Sequence, residues 1–198
     1  MLFKGNEMLT LKRYIMVVLL CMPAFAYAGE IKTDIIYPKQ AVGVAAGEGE
    51  VGLWVEDVRV DKSFGRAVDG EYLVPASDVA ASLYAHMVSS LKAAGYQVIP
   101  YNSDMTNGML VRIQSIEYSA SREMIKSKVG VSVALESKMN SSSSSTRTYR
   151  AVVEDQFALS PSAEENAKTI GLGLATAAAS VLADLKLSDS AQPETAGQ

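Results

Sequence analysis

The chain predicts an α+β fold: a mixed, mostly antiparallel sheet of five or six strands with two helices packed on one face. Three observations carry this. Residues 77–94 and 162–187 place apolar side chains at helical spacing. Five segments between residues 50 and 159 read as strands, several with strict apolar/polar alternation, and a sixth short one precedes them. The two helical stripes are amphipathic, so each covers the sheet with one side only.

Glu30 to Tyr37 reads as a short strand stopped by Pro38, and the Ala/Gly-rich stretch from Gln40 to Gly49 reads as a connecting loop. Val51, Leu53 and Val55 then alternate with Gly52, Trp54 and Glu56, which predicts a strand to about Arg59. Asp61 to Val74, with Gly65, Gly70 and mixed charge, reads as a long loop. Pro75-Ala76-Ser77-Asp78 opens the first helix, Ser77 accepting from free N–H groups and Asp78 suiting the positive end. Val79, Leu83, Met87 and Leu91 form its stripe, widened by Tyr84 and Val88, and Gly95 is a natural stop. Tyr96 to Pro100 is the next strand.

Met109 to Ser119 alternates with a phase change between Ile113 and Ile116, which predicts a bulge near Gln114-Ser115. Val129, Val131, Val133 and Leu135 alternate cleanly. Tyr149, Ala151, Val153, Asp155, Phe157 and Leu159 do so after the polar tip Asn140–Thr146, which reads as a solvated hairpin loop. In the second helix Ser162 and Glu165 fit a capping box, and Ala167, Ile170, Leu174, Ala178, Val181 and Leu185 form its stripe. The predicted organisation is a signal peptide at 1–28, a strand and linker at 29–49, a single domain at 50–187 and a disordered tail at 188–198.

The N-terminus is an address. Lys12-Arg13 precede the apolar run Tyr14 to Met22, Pro23 breaks it, and Ala26-Tyr27-Ala28 supplies the small residues of a signal-peptidase site. Cleavage is expected after Ala28. The run falls short of the roughly 20 residues a membrane span needs, and no transmembrane segment is expected in the mature chain. Lipidation of Cys21 is the competing route, but Leu20 stands where a lipobox has a small residue. Met22-Pro23-Ala24-Phe25 also stays apolar where a tether turns polar. Tethering through Cys21 is therefore disfavoured. The mature chain, without cysteine, suits an oxidising periplasm and uses no disulfide there.

Little in the chain supports catalysis. One histidine and one cysteine among 198 residues leave few thiolate, imidazole or zinc arrangements, and a net charge of −4 offers no nucleic-acid footprint. His86 falls off the apolar stripe and is expected at the surface. Gly171-Leu172-Gly173 sits inside a helical pattern with no strand before it, and reads as a close-packing site rather than a phosphate loop. Glu56-Asp57 and Glu154-Asp155 are adjacent on strands, so each pair points to opposite faces and forms no dyad. No catalytic residue, metal or cofactor is expected. Asp57 and Arg59 share the parity of Val51, Leu53 and Val55, and Asp155 shares that of Val153 and Phe157. Charges on the core side must pair, either as an ion pair fixing the sheet rim or as a binding rim for a ligand or partner.

Several segments together resemble the YajG-like family of bacterial envelope lipoproteins. They are Ile35-Ile36-Tyr37-Pro38, Val55-Glu56-Asp57-Val58-Arg59, Leu91 to Val98, Leu110-Val111-Arg112-Ile113, Tyr149-Arg150-Ala151, and Asn166 with the helix ending Val181-Leu182-Ala183-Asp184. The resemblance spans about residues 31–187 and implies an envelope location and an α/β fold. The expectation is a non-enzymatic periplasmic component acting as a binding or assembly part through contact with an envelope protein, with oligomerisation left open. The alternative is a small-ligand or lipid-binding accessory protein of an envelope transporter. An apolar cavity between helices and sheet would favour that alternative, and a solid core with an exposed apolar patch the former.

Overall fold

The computed structural model describes residues 29–39, 44–140 and 145–189. The strands are β1 (Glu30–Thr33), β2 (Glu50–Asp57), β3 (Gly65–Arg66), β4 (Tyr72–Pro75), β5 (Gln97–Pro100), β6 (Gly108–Arg122), β7 (Ser127–Asn140) and β8 (Ser145–Phe157). Helix α1 (Val79–Ala93) lies between β4 and β5, and α2 (Ala163–Asp189) follows β8. The fold is α+β, with one mixed sheet and two helices, as the alternation and the two stripes predict.

The antiparallel ribbon β6–β7–β8 holds the three longest strands of the sheet. On the other side of β6 two shorter strands share one edge. β2 runs parallel to its first half, from Gly52 opposite Gly108 to Asp57 opposite Ile113. Past that point β3 takes over, with Gly65 opposite Tyr118. The changeover coincides with a register shift between Ile113 and Ser115, at the bulge the phase change predicts. A bulge adds twist and re-aims a strand, which is why one straight neighbour cannot serve all of β6. Gly65 has φ +136°, and a Cβ there would overlap the carbonyl oxygen of Tyr118. Only glycine lets the chain rejoin β6 so closely.

The helices cap and pack largely as their sequences dictate. Asp78, rather than Ser77, is the cap of α1, its carboxylate accepting from the N–H of Ala81 at 2.9 Å. At α2 the box is reciprocal: Ser162 N–H donates to Glu165 at 2.7 Å and Glu165 N–H to the Ser162 hydroxyl at 3.2 Å. Leu83, Met87 and Leu91 of α1, with Ile170, Leu174 and Val181 of α2, are fully buried against Leu53, Met109, Val111 and Val129 to Leu135. Gly171-Leu172-Gly173 is the predicted close-packing site. A Cβ on Gly171 would overlap the backbone of Ile36, and one on Gly173 would press on Val131 and Val133 of β7. The face away from the helices is mainly polar apart from exposed Trp54 and Val152, with Glu56 bound to Trp54 and Arg112 while its neighbour Asp57 points the other way.

Several expectations need correction. The stretch 61–74 is not one loop: Phe64 N–H donates to the Leu73 carbonyl at 2.7 Å, and β3 and β4 pair through it. The sheet therefore has eight strands among the described residues. β1 ends at Thr33 and not Tyr37: its last ladder bond comes from the Ala76 N–H, just past β4, to the Thr33 carbonyl at 3.0 Å. Ile36 N–H then turns to the Ala167 carbonyl of α2. His86 is half-buried rather than exposed: it stacks on Tyr37 with ring centroids 4.2 Å apart and planes 8° off parallel. Burial lowers its pKa below the ordinary histidine value. Helix α2 continues through Asp189, into the stretch expected as tail. The signal peptide with Cys21, Ala26 and Ala28, residues 141–144 of the serine tip, and residues 190–198 lie outside the described residues.

By length and composition alone, Ala163–Leu185 of α2 is apolar enough to cross a membrane. Here it is a core helix, with more than half of its most apolar window buried against the rest of the fold.

Candidate functional site

Two places on the surface are candidates, and both lie on the β6 strand that the fold is built around. The first is the rim where β2 leaves the sheet. Asp57 is the last residue of β2 and Arg59 lies two further on, so the same-side parity carries both side chains under the turn. Arg59 is 5% exposed. Its Nε donates to Asp57 Oδ1 at 3.0 Å and its Nη2 to Oδ2 at 2.9 Å, a bidentate pair, while Nη1 reaches the Ser63 carbonyl at 3.1 Å. The Arg59 backbone N–H also donates to Asp57 Oδ1, and the guanidinium lies 5.6 Å from the Phe64 ring centre. Lys62 adds a second cation, its Nζ 3.2 Å from Asp57 Oδ1 and 2.9 Å from the Asp57 carbonyl oxygen.

Burial by itself would raise the Asp57 pKa. The hydrogen bonds from the Arg59 side chain and backbone, its charge, and Lys62 together outweigh that, and the carboxyl sits below its ordinary range. The guanidinium thus directs three of its N–H groups at Asp57 and Ser63. Beside it an open cleft of about 400 Å³ runs between Arg59–Gly65 and the bulged part of β6, Gln114–Tyr118. Its floor is tied down by Tyr118, whose buried hydroxyl donates to Asn166 Oδ1 at 2.6 Å; burial pushes that phenol up to about 12.

Asp155 is not part of this rim. It lies on β8, opposite Val129 of β7, and is exposed, its Oδ1 accepting from the adjacent Gln156 N–H at 2.8 Å. The parity argument places it on the helix side correctly, but among the described residues β8 pairs only with β7, and at a sheet edge the helix side still meets water. Val153 and Phe157 of the same series are only half-buried.

The second place is the far end of the ribbon. The turn between β6 and β7 presents Met124 at 98% exposure and Ile125 at 78%, and the β8–α2 connection brings Leu159, 80% exposed, beside them. With Arg122, Lys126 and Ser160 they line an open concavity of about 500 Å³. Sequence reasoning passed over this end, although two consecutive apolar residues between Glu123 and Lys126 in a turn were the signal. It also passed over Lys62, Ser63 and Phe64, because their roles depend on how 61–74 folds back on β4. Among the described residues no three His, Cys, Asp or Glu side chains are grouped to hold a metal.

A mixed sheet with two covering helices, an ion-paired rim and an open apolar end defines a small α+β domain. Residues 44–190 match the model of a family described as uncharacterized lipoprotein, and the chain belongs to this YajG-like family of envelope lipoproteins. No curated protein matches. Among solved structures the chain is similar to a Xanthomonas campestris protein of the DUF330 family, at 14% identity and a TM-score of 0.44, covering 82% of this chain and 99% of that one. It is also similar to a minor lipoprotein from Acinetobacter baumannii, at 12% identity and 0.39, covering 74% and 95%. A lipoprotein from Neisseria meningitidis follows at 15% identity and 0.29, covering 72% and 99%.

Proposed function

We propose that the chain is a non-enzymatic periplasmic component of the cell envelope that works by protein–protein contact through the apolar end at Met124, Ile125 and Leu159. That end is the observation that carries the reading: large apolar side chains gathered around one concavity mark contact surfaces, whereas singly scattered ones do not. The buried side chains between helices and sheet belong to one core cluster, and the clefts lined by Arg59–Gly65 with β6 and by Met124 with Leu159 open at the surface, which weighs against the small-ligand alternative. A photocrosslinking residue at Ile125 should join the chain to a discrete envelope protein in intact cells, and one at Asn102 should not. Met124→Asp should abolish the adduct while shifting stability by no more than about 0.5 kcal/mol, as for other surface changes. No adduct at Ile125 would rule the surface out.

Location belongs to the same proposal. Ala26 and Ala28 frame the cleavage site, so the exported protein should begin at Gly29. Mass spectrometry of the exported chain reads this directly, and an N-terminal lipid-modified Cys21 would replace the soluble periplasmic form with a membrane-tethered one.

A further inference from the structure

The sheet ends on edge strands of unequal kind. β1 and β5 have four residues each, and β5 closes on Pro100, so neither offers much ladder to a newcomer. β8 has thirteen. Among the described residues it pairs with β7 alone, without a register shift and without a proline. Along its outer side, alternate backbone N–H and C=O groups therefore face away from the sheet. An edge this long normally pairs unless it is bent or blocked.

The side chains of β8 indicate what it pairs with. The face away from the helices carries Thr148, Arg150, Val152, Glu154 and Gln156, all exposed, with Val152 at 69%. Arg150 has no ion pair among the described residues. Glu154 meets Lys128 at 2.9 Å in an exposed pair, a type of contact that contributes little. Read outward from Val152, the series is self-complementary. An antiparallel copy centred there sets Val152 against Val152, Arg150 against Glu154 twice, and Thr148 against Gln156. On the helix side it sets Ala151 against Val153. We propose that β8 pairs antiparallel with β8 of a second copy of this chain, about a two-fold axis through Val152, joining the two sheets into one.

Other registers fail on the same residues. A two-fold perpendicular to the sheet must set some residue opposite itself, because side chains keep their face across an antiparallel ladder. Centring on Arg150 or Glu154 places like charges in contact. Centring on Ala151 sets Arg150 against Val152, and centring on Val153 sets Val152 against Glu154. The Val152 register alone satisfies both charges, and an isologous contact repeats each gain.

A charge-exchange series tests this, using sedimentation of the exported chain. The wild type should run as a dimer. Arg150→Glu should weaken it about tenfold or more, since the repulsion acts twice across the axis; Glu154→Arg should do the same. The double exchange Arg150→Glu with Glu154→Arg should restore the dimer. Circular dichroism checks that each variant is folded. A monomeric wild type overturns the proposal and leaves the edge to a strand of another protein. A dimer that ignores both single changes, or a double exchange that fails to restore it, overturns it equally. The apolar end at Met124 is not needed for this pairing, so its variants should remain dimeric.

Discussion

Ala178→Glu should leave little folded protein. Ala178 lies on the stripe of α2, four residues after Leu174 and three before Val181, and is 1% exposed. Its methyl group fits a closed interface, so a glutamate there must either bury an unpaired carboxylate or lift the helix from β7 and β8. Burying a charge without a partner costs several kcal/mol, and forcing extra volume into a packed site typically adds 1–3 kcal/mol. A loss of about 4 kcal/mol or more is comparable with the whole stability of many domains, about 5–15 kcal/mol. Lys168→Glu is the control on the same helix. Lys168 is exposed and meets Glu164 at 2.6 Å across one turn, a solvent-screened surface pair that contributes little. Soluble yield and melting temperature should separate the two clearly. If Ala178→Glu folds and melts like the wild type, α2 does not seal the sheet.

The main elements were legible because their signals are local and repeated. Val79, Leu83, Met87 and Leu91 announce one helix face whatever packs against it, and the slip of phase between Ile113 and Ile116 is the bulge itself. β3 and β4 were not legible, since strands of two and four residues carry no period. They exist because Gly65 reaches the Tyr118 backbone and Phe64 finds Leu73, contacts set by distant parts of the chain. The stack of His86 on Tyr37 is equally non-local. Of the candidate site, the Asp57–Arg59 pairing followed from parity, because β2 is covered on one side by α1. Asp155 shows the limit of that argument. Parity tells which face a side chain takes, but only strand order tells whether the strand is central or at an edge.

The Asp57–Arg59 pair yields the second large effect, and one with a pH signature. Asp57→Ala would leave a nearly buried guanidinium with the Ser63 carbonyl, the Phe64 ring and the charge of nearby Asp61, but without its bidentate partner. Loss of a charged hydrogen-bond partner in such a place should lower stability by about 1–3 kcal/mol at neutral pH. Asp57→Asn should fall between the two, keeping the shape and losing the charge. Because the folded-state pKa of Asp57 is depressed, its contribution is fully present above the unfolded carboxyl value of about 3.9. It is lost as pH falls through the lower folded-state value. The stability gap between wild type and Asp57→Asn should therefore be constant near neutrality and close in acid, below about pH 4. If Asp57 and Arg59 instead form a contact rim, Asp57→Ala should leave the melting temperature unmoved while capture of an envelope partner falls. Denaturant melts across pH, run beside crosslinking in intact cells, distinguish the two roles. The burial of Arg59, at 5% exposure, and its three side-chain hydrogen bonds to Asp57 and Ser63 favour the first, because an arginine held inside its own chain has little left to offer a partner.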